Sequence, residues 1–578
     1  VQPPPQVEAQ APRCAELSEQ GLLCHDSWCW ELQGQQGNDL LAATSTGKEV
    51  WAVGAAGTLL RWDGKRWSRE PSGTSVTLVD VDHSGDEVWA VGAEGTILRR
   101  TRGQWHAESS PSPVDVHRVE VAAPGDAWIA VAGGVARYHQ GAWSWVLRAA
   151  GDYDLWSSGP DDVWILGERK AYRWDGSGLH EMETPFFRGR FGGTERGRPF
   201  VASEHEVYQW TGEAFEQRFA IPNSTFTVEA LAQHDGDLWV FANRGGGGSG
   251  WDDGRLVVRW DGTTAHEVWS ESFPASSQWS SGMPRALALL DGGGAFLMGE
   301  RGRTLRWDGS SWFEPPRAPG DIDVLLPFDT GGYWALHWTR GPWISGLQWD
   351  GTSAWRPLEQ VGGFTSGRLT GTGPEDIWVL IGRLSRWDGS TWHGYDDVGV
   401  LRDVYSVTRD EVWAVGDGGR AVHLQGDAWT EAPTGTTGDL QALWASGPKD
   451  VWAGGATLIH WNGEAWSPAP GIDATEDLRI TQLSGSGPGE AWALGTRLHR
   501  WDGKAWRDVA PPRGNERCWE LWSAGPAATF ATCEKGFYRW DGRGWTALPF
   551  HGRPGAFAGK AKRGYMAYGD ALLRYCRE

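Results

Sequence analysis

At 578 residues the chain is too long for one compact core of ordinary type, so several domains or a repeat array are expected. Its formal charge of −21 sets aside nucleic acid as a partner, since phosphate binding needs a basic surface, and disfavours adsorption to anionic membranes. The 42 tryptophans and 82 glycines argue for a folded protein with many tight turns, and no run of about 18 apolar residues exists to span a bilayer.

The first residues, VQPPPQVEAQAPRC, have neither a basic n-region nor an apolar h-region. Residues 1–26, with Cys14 and Cys24, read as a tail, either of a mature form whose secretion signal has been removed or of a cytosolic protein. From Glu49 to Trp67 the chain reads EVWAVGAAGTLLRWDGKRW, and from Glu87 to Trp105 it reads EVWAVGAEGTILRRTRGQW. A complete copy of this unit runs from Gly438 to Trp466, GDLQALWASGPKDVWAGGATLIHWNGEAW. It holds four short segments. DLQALWAS ends at a Gly-Pro turn, DVWAGG follows, TLIHW leads into a Trp-Asn-Gly turn, and the fourth begins at the next Trp. Gly-Pro, Asn-Gly and Asp-Gly are turn dipeptides because Gly tolerates positive φ and Pro presets its own. Four strands joined by such turns form an antiparallel meander. No sustained 3.6-residue apolar period appears, so helices should be nearly absent.

Fourteen copies of this unit lie in phase between Trp62 and Tyr575, mostly 35 to 42 residues apart. That period matches a four-stranded propeller blade. The fold expected is therefore all-β, a β-propeller of fourteen four-stranded blades. Two seven-bladed rings fit the usual blade number, and one fourteen-bladed ring is the alternative. The link from Ala265 to Phe296 is longer than the others and reads as a crossing between rings. One ring would then be residues 27–270 plus 550–578, blades one to six with blade fourteen, and the other 285–549, blades seven to thirteen.

The last copy, GYMAYGDALLRYCRE, lacks its fourth strand. Near the N-terminus, SWCWELQGQQGNDLLAATSTGKEVW aligns with AWTEAPTGTTGDLQALWASGPKDVW. Trp28 thus takes the first position of a fourth strand, and residues 27–33 should complete the blade begun at the C-terminus, removing an exposed sheet edge. The cysteines gather at the same two ends. None forms a CxxC or Cys/His metal spacing, and their even number points to disulfides and an oxidising compartment. Cys518 and Cys533 flank the Gly525-Pro526 turn symmetrically, as cross-strand partners would. Cys576 is expected to bond Cys24 or Cys29, with Cys14 taking the other.

The pattern DVWAVG…G…WDGxxW covers about residues 27 to 576 and resembles bacterial secreted propellers with Asp-box (BNR) and related WD-type repeats. It departs from the Asp-box S-x-D-x-G-x-x-W, because WDGKRW sets Asp and Gly side by side. The resemblance implies a propeller. Sialidases, lectins, assembly factors and substrate-free scaffolds share the style, so it leaves the activity open.

Tryptophans at the repeated positions, such as Trp51, Trp62 and Trp67, read as wedges between blades. The residue before each marker is Arg in ten copies, Gln in two and His in two. These residues read as stacking on a repeated Trp or pairing with a local carboxylate. The Asp of each WDG reads as a turn residue accepting backbone N–H bonds. Off-phase insertions are the candidate ligand sites, since they are not needed to build blades. They offer Phe186, Phe187, Arg188 and Arg190 in TPFFRGRFGG, Trp269 and Trp279 in the long link, and Trp338, Arg340 and Trp343 in HWTRGPWISG. Asp252 and Asp253 in GWDDG form the one acidic loop to consider for calcium, and no loop collects the six or more oxygens that ion prefers. No phosphate loop, GxSxG elbow or HExxH helix occurs, and no cofactor is implied. The function expected is an extracytoplasmic, secreted or cell-surface scaffold that binds protein or glycan without catalysis. The alternatives are a glycan-active hydrolase or lyase with its site on a ring axis, and a structural component of a cell-surface assembly.

Overall fold

The computed structural model describes residues 11–19, 22–25, 27–30, 37–221, 226–244, 253–273, 283–314, 322–328, 333–338, 344–349, 355–364, 367–426, 428–472, 478–514, 516–548, 550, 556–560, 563–568 and 571–577. These residues form fourteen antiparallel sheets, thirteen of four strands and one of five. Each four-stranded sheet uses four consecutive strands in chain order, as the repeat predicts. Among the described residues the one α-helix is Cys14–Glu19, and four single 3-10 turns occur, each between the second and third strand of a sheet.

The chain divides into two compact units. One is Gln33–Pro315, and the other is Val1–Leu32 with Pro316–Glu578. Each holds seven sheets, so the division falls one sheet later than the sequence reading placed it. Sheet seven belongs with sheets one to six, and sheet fourteen with eight to thirteen. The link from Ala265 to Phe296 is long without being a crossing, because sheet six absorbs length by extending its outer strands, Asp253–Trp260 and Ala265–Phe273. Buried Arg303 of sheet seven secures that extension. It donates to both oxygens of Glu271, at 2.8 and 3.0 Å, and to Glu314 at 3.0 Å.

In Gln33–Pro315 the first strand of each sheet meets the first strand of the next. The first strand of sheet seven, Pro284–Leu289, likewise meets that of sheet one, Leu40–Ser45. The side chains repeat this pattern. Trp51 of sheet one packs edge-on against Trp105 of sheet two at 5.7 Å, as Trp164 does against Trp210 at 5.4 Å, and Trp128 lies tilted against Trp174 at 5.8 Å. Phe296 of sheet seven, in the position of these tryptophans, packs against Trp62 of sheet one at 5.2 Å. The loop contacts match too. Asp115 accepts the Glu94 N–H at 2.9 Å, and Asp39, ahead of sheet one, accepts the Arg301 N–H of sheet seven at 2.7 Å. In the other unit, Tyr333 of sheet eight meets Tyr565 of sheet fourteen at 5.2 Å.

The repeated polar residues have local partners. Arg99 donates to both oxygens of Glu87, at 3.1 and 3.0 Å, with its guanidinium 5.1 Å from the Trp89 ring, and Trp89 Nε1 donates to the same carboxylate. Arg61 with Glu49, Arg137 with Asp126, Arg173 with Asp162 and Arg386 with Asp376 repeat the unit over Trp51, Trp128, Trp164 and Trp378. Where His replaces Arg it stacks instead, His423 on Trp413 at 4.0 Å and His460 on Trp452 at 4.2 Å. A carboxylate two residues before the Trp thus fixes a cation that covers its face. The Asp126 side chain is 4% exposed, so Asp126→Asn, which leaves Arg137 half-paired and shielded from water, should destabilise the unit by about 2–4 kcal/mol in chemical denaturation.

The WDG turns are as expected. Asp63 Oδ1 accepts the N–H groups of Lys65 and Arg66, both at 2.9 Å, and these bonds hold its carboxyl below the usual range. Asp175, Asp261, Asp308, Asp388, Asp502 and Asp541 repeat the arrangement. Glycine is required at Gly57, where φ is +64° and a Cβ would lie 1.9 Å from the Thr74 carbonyl.

The five-stranded sheet joins the two ends of the chain. Trp28–Trp30 pairs antiparallel with Ala571–Tyr575, Trp28 opposite Tyr575 and Trp30 opposite Leu573, the register the alignment implied. Cys24–His25 then folds back as a fifth strand, Cys24 opposite Cys29. That hairpin corrects the expected disulfides. Cys24 bonds Cys29, and Cys576 bonds Cys14. Cys14 reaches Cys576 because residues 12–14 run beside Arg577. The Cys14 N–H donates to the Arg577 carbonyl and the Arg577 N–H to that of Pro12, both at 2.9 Å. Cys518 and Cys533 face each other across neighbouring strands and are bonded, as expected.

Candidate functional site

The insertion Thr184–Gly193 links sheet four to sheet five and parts its four candidate residues. Phe186 turns inward, 8% exposed, against Tyr208 at 4.9 Å and Phe215 at 5.4 Å, so it belongs to the core and not to a ligand surface. Phe187 turns outward and is 45% exposed. The guanidinium of Arg169 lies 5.1 Å from its ring and that of Arg188 lies 5.5 Å away. Arg188 also reaches Glu168 Oε1 at 2.7 Å, and its backbone has φ of +60°. The loop is fastened to the preceding turn, since the Arg188 N–H donates to the Glu168 carbonyl at 2.7 Å and the Thr184 N–H to that of Arg169 at 3.1 Å. Phe187 is therefore a held aromatic, with two cations against it.

Arg190, the first residue of the strand Arg190–Gly192, points toward a different group. Its Nη1 lies 3.5 Å from Asp154 Oδ1, which Arg118 Nε reaches at 2.8 Å. Here the first strands of sheets two to five bring together Asp80, Asp82, Arg118, Glu120, Asp154 and Arg190. Each carboxylate clasps the backbone of the next sheet. Asp80 Oδ2 accepts the Val119 N–H at 2.9 Å, Asp82 Oδ2 that of Val121 at 2.7 Å, Glu120 Oε1 that of Ser157 at 2.8 Å, and Asp154 Oδ2 that of Phe191 at 2.6 Å. In the other unit Asp403 does the same for Leu443 at 2.7 Å, and Gln482 for Leu521 at 2.7 Å. Burial raises these carboxyls, Asp80 to about 7 and Asp82 to about 6, and Glu120 and Asp154 move upward too. Arg118 beside Asp80 and Asp154 opposes the rise. These carboxylates lie outside the off-phase insertions, yet the sequence carries a signal for them. In LVDVDHS and VHRVEVAA, charged residues alternate with valines along an inner strand, where an all-apolar face would serve packing alone.

The other candidates do not join either group. Trp269 lies in Ala265–Phe273, half-buried against Trp312 at 6.3 Å, with the Arg303 guanidinium 5.9 Å from its ring, so it supports sheet seven. Trp338 ends the strand Tyr333–Trp338 and Asp253 begins Asp253–Trp260, and their side chains lie outside the described residues. Trp279, Arg340, Trp343 and Asp252 also lie outside the described residues. Among the described residues no group of three His, Cys, Asp or Glu side chains is arranged to hold a metal ion.

No protein-family model matches the chain, and no curated protein matches it in sequence. Solved structures do match its fold. PorZ, a surface component of the type-IX secretion system of Porphyromonas gingivalis, superposes with a TM-score of 0.52 at 12% identity over 95% of this chain and 87% of its own. The GH74 enzyme of Niastella koreensis superposes with a TM-score of 0.54 at 13% identity, over 95% of this chain and 99% of its own. At these identities the likeness shows the fold alone, a β-propeller architecture.

Proposed function

We propose that the chain is an extracytoplasmic, non-catalytic binding scaffold, built as two seven-bladed wheels, that recognises a protein partner through the Phe187 loop. The carrying observation is Phe187 itself. Among the described residues Phe187 stands 45% exposed, beside 60% for Phe313, and it is Phe187 that has the guanidinium groups of Arg169 and Arg188 against its ring. An aromatic anchor fixed with arginine is the composition of an interface hot spot, and a loop fastened to its neighbouring turn loses little entropy on binding. The three disulfides fit a compartment outside the cytoplasm.

Two features support the wheel arrangement. Each unit holds seven sheets, and within each unit the last sheet meets the first. The inner carboxylates support a non-catalytic reading, because each already commits an oxygen to a neighbouring backbone N–H. Their raised affinity for protons would also suit the general acid of a glycan-active enzyme. Glu120→Gln tests that second reading, which requires turnover of a polysaccharide by the parent chain and its loss in the variant.

The test of the main reading compares the parent protein with Phe187→Ala and Arg188→Ala as bait in gentle pull-downs, alongside a glycan array. A protein ligand retained by the parent and weakened at least tenfold by either substitution is expected, at unchanged melting temperature. Equal capture by parent and variants, or strong glycan binding indifferent to Phe187, overturns the reading.

A further inference from the structure

Two disulfides meet where the chain ends join. Cys14–Cys576 and Cys24–Cys29 lie so close that Cys29 Sγ is 3.4 Å from Cys576 Sγ, its neighbour in the other bridge. Cys24 Sγ in turn lies 3.6 Å from the Cys14 carbonyl. The four cysteines differ in exposure. Cys29 and Cys576 are wholly buried under Leu17, whereas Cys14 and Cys24 are partly open to solvent. We propose that this cluster is a thiol–disulfide exchange site. An external thiol enters at Cys24, and the bridges re-pair as Cys29–Cys576 and Cys14–Cys24.

The chemistry balances without an oxidant. An external thiolate, such as a small thiol or the active cysteine of a dithiol oxidoreductase, attacks Sγ of the partly exposed Cys24. A mixed disulfide forms there, the Cys24–Cys29 bond breaks, and Cys29 leaves as a thiolate. Exchange requires a thiolate in line with a disulfide sulfur, and Cys29 is released already beside Cys576. It bonds Cys576 Sγ, and Cys14 leaves as a thiolate. Cys14 then attacks Cys24 Sγ, forming Cys14–Cys24 and returning the external thiolate. Two disulfides are present before and two after, so the thiol acts as a catalyst and no electrons are gained or lost.

The two pairings close similar loops, because Cys576 is 562 residues from Cys14 and 547 from Cys29. They staple different parts. In the observed pairing the bond to Cys576 holds the helix Cys14–Glu19, and the strand Trp28–Trp30 is fastened by its ladder. After exchange the bond would hold that strand directly to the residue following Ala571–Tyr575, with the helix tethered only to the hairpin. The third bridge, Cys518–Cys533, has both sulfurs buried and no thiol route of this kind among the described residues, which makes it an internal control.

The experiment incubates the full oxidised chain with substoichiometric reduced glutathione, traps thiols by alkylation and maps bridges by mass spectrometry. Cleavage at Glu16, Glu19 and Trp28 separates the three N-terminal cysteines. The expected result is a growing fraction of Cys29–Cys576 and Cys14–Cys24 peptides, with Cys518–Cys533 unchanged. A second arm uses Cys24→Ser, which leaves Cys29 as a thiol from the outset. Here Cys29–Cys576 should form without added glutathione, and the alkylated residue should be Cys14. Alkylation of Cys29 with Cys14–Cys576 intact, or simple reduction of Cys24–Cys29 in the parent with no new bridge, overturns the proposal.

Discussion

Replacing Trp28 by alanine is expected to lower the melting transition of the unit containing residues 316–578 by roughly 5–15 °C, from a loss of about 3–5 kcal/mol. Trp28 is fully buried, and four rings from four strands of sheet thirteen and sheet fourteen surround it. Phe530 lies at 5.0 Å, Tyr575 at 5.7 Å, Trp522 at 5.8 Å and Phe557 at 6.2 Å. No neighbouring strand can collapse into the space an indole leaves, because each is pinned in its own ladder, so the cavity persists and its cost adds to the lost burial. The substitution also weakens the strand that covers Ala571–Tyr575, and an uncovered edge invites pairing with other chains. Aggregation on heating should therefore accompany the lower transition. Trp28→Phe keeps most of the buried ring and should cost about a third as much. Scanning calorimetry of the oxidised proteins, with Phe187→Ala as the surface control, measures both. A transition unmoved by Trp28→Ala would mean that the N-terminal strand does not hold this sheet shut.

Much of this architecture was legible in the sequence because it is written repeatedly. The Asp-Gly turns, the Trp before them and the meander of four strands recur with the same local physics, so any ambiguous copy is settled by the others. Trp28 opposite Tyr575 and Cys518 opposite Cys533 followed from alignment with a complete copy. The misses lie where the repeat says nothing. Cys24–Cys29 depends on a two-residue strand unique to the N-terminal tail, and no other copy carries a template for it. The longest link does not mark the unit boundary, because length there goes into strands that Arg303 fastens through Glu271. Phe186 and Phe187 are adjacent and chemically alike, yet one faces the core and the other solvent. Only the register of the loop separates them. The inner carboxylates act within the repeat, so a search for function among residues outside it does not reach them.

Those carboxylates give the other large effect. Mild acidification from pH 8 to pH 5 should stabilise the unit Gln33–Pro315. Burial raises Asp80 to about 7 and Asp82 to about 6, from ordinary values near 4 in the unfolded chain. Between those limits the folded state binds protons that the unfolded state has released, so stability falls as pH rises. The contribution is complete below about pH 4 and is lost as pH climbs through 6 and 7. Glu120 and Asp154 shift the same way. Arg118 limits the rise of Asp80, and Thr44 and the Val121 N–H limit that of Asp82. His83, held neutral by burial, acts oppositely below its ordinary value and offsets part of the gain. Solvent reaches 22% of the Asp82 side chain, which reduces its share, so the net change is on the order of 2 kcal/mol. Further acidification reverses the trend. Glu87, Asp162 and the WDG aspartates have lowered affinities for protons, and their stabilisation disappears as pH falls through those lowered values. Stability should therefore peak near pH 5. Asp80→Asn keeps an acceptor for the Val119 N–H without a charge to bury. It should stabilise the unit by about 1–3 kcal/mol at pH 8, have little effect at pH 5, and flatten the profile between them. Urea denaturation at half-unit pH steps traces both curves. A parent profile that rises steadily from pH 5 to pH 8 would show that these carboxylates stay charged in the fold, and that they hold neighbouring sheets together as anions.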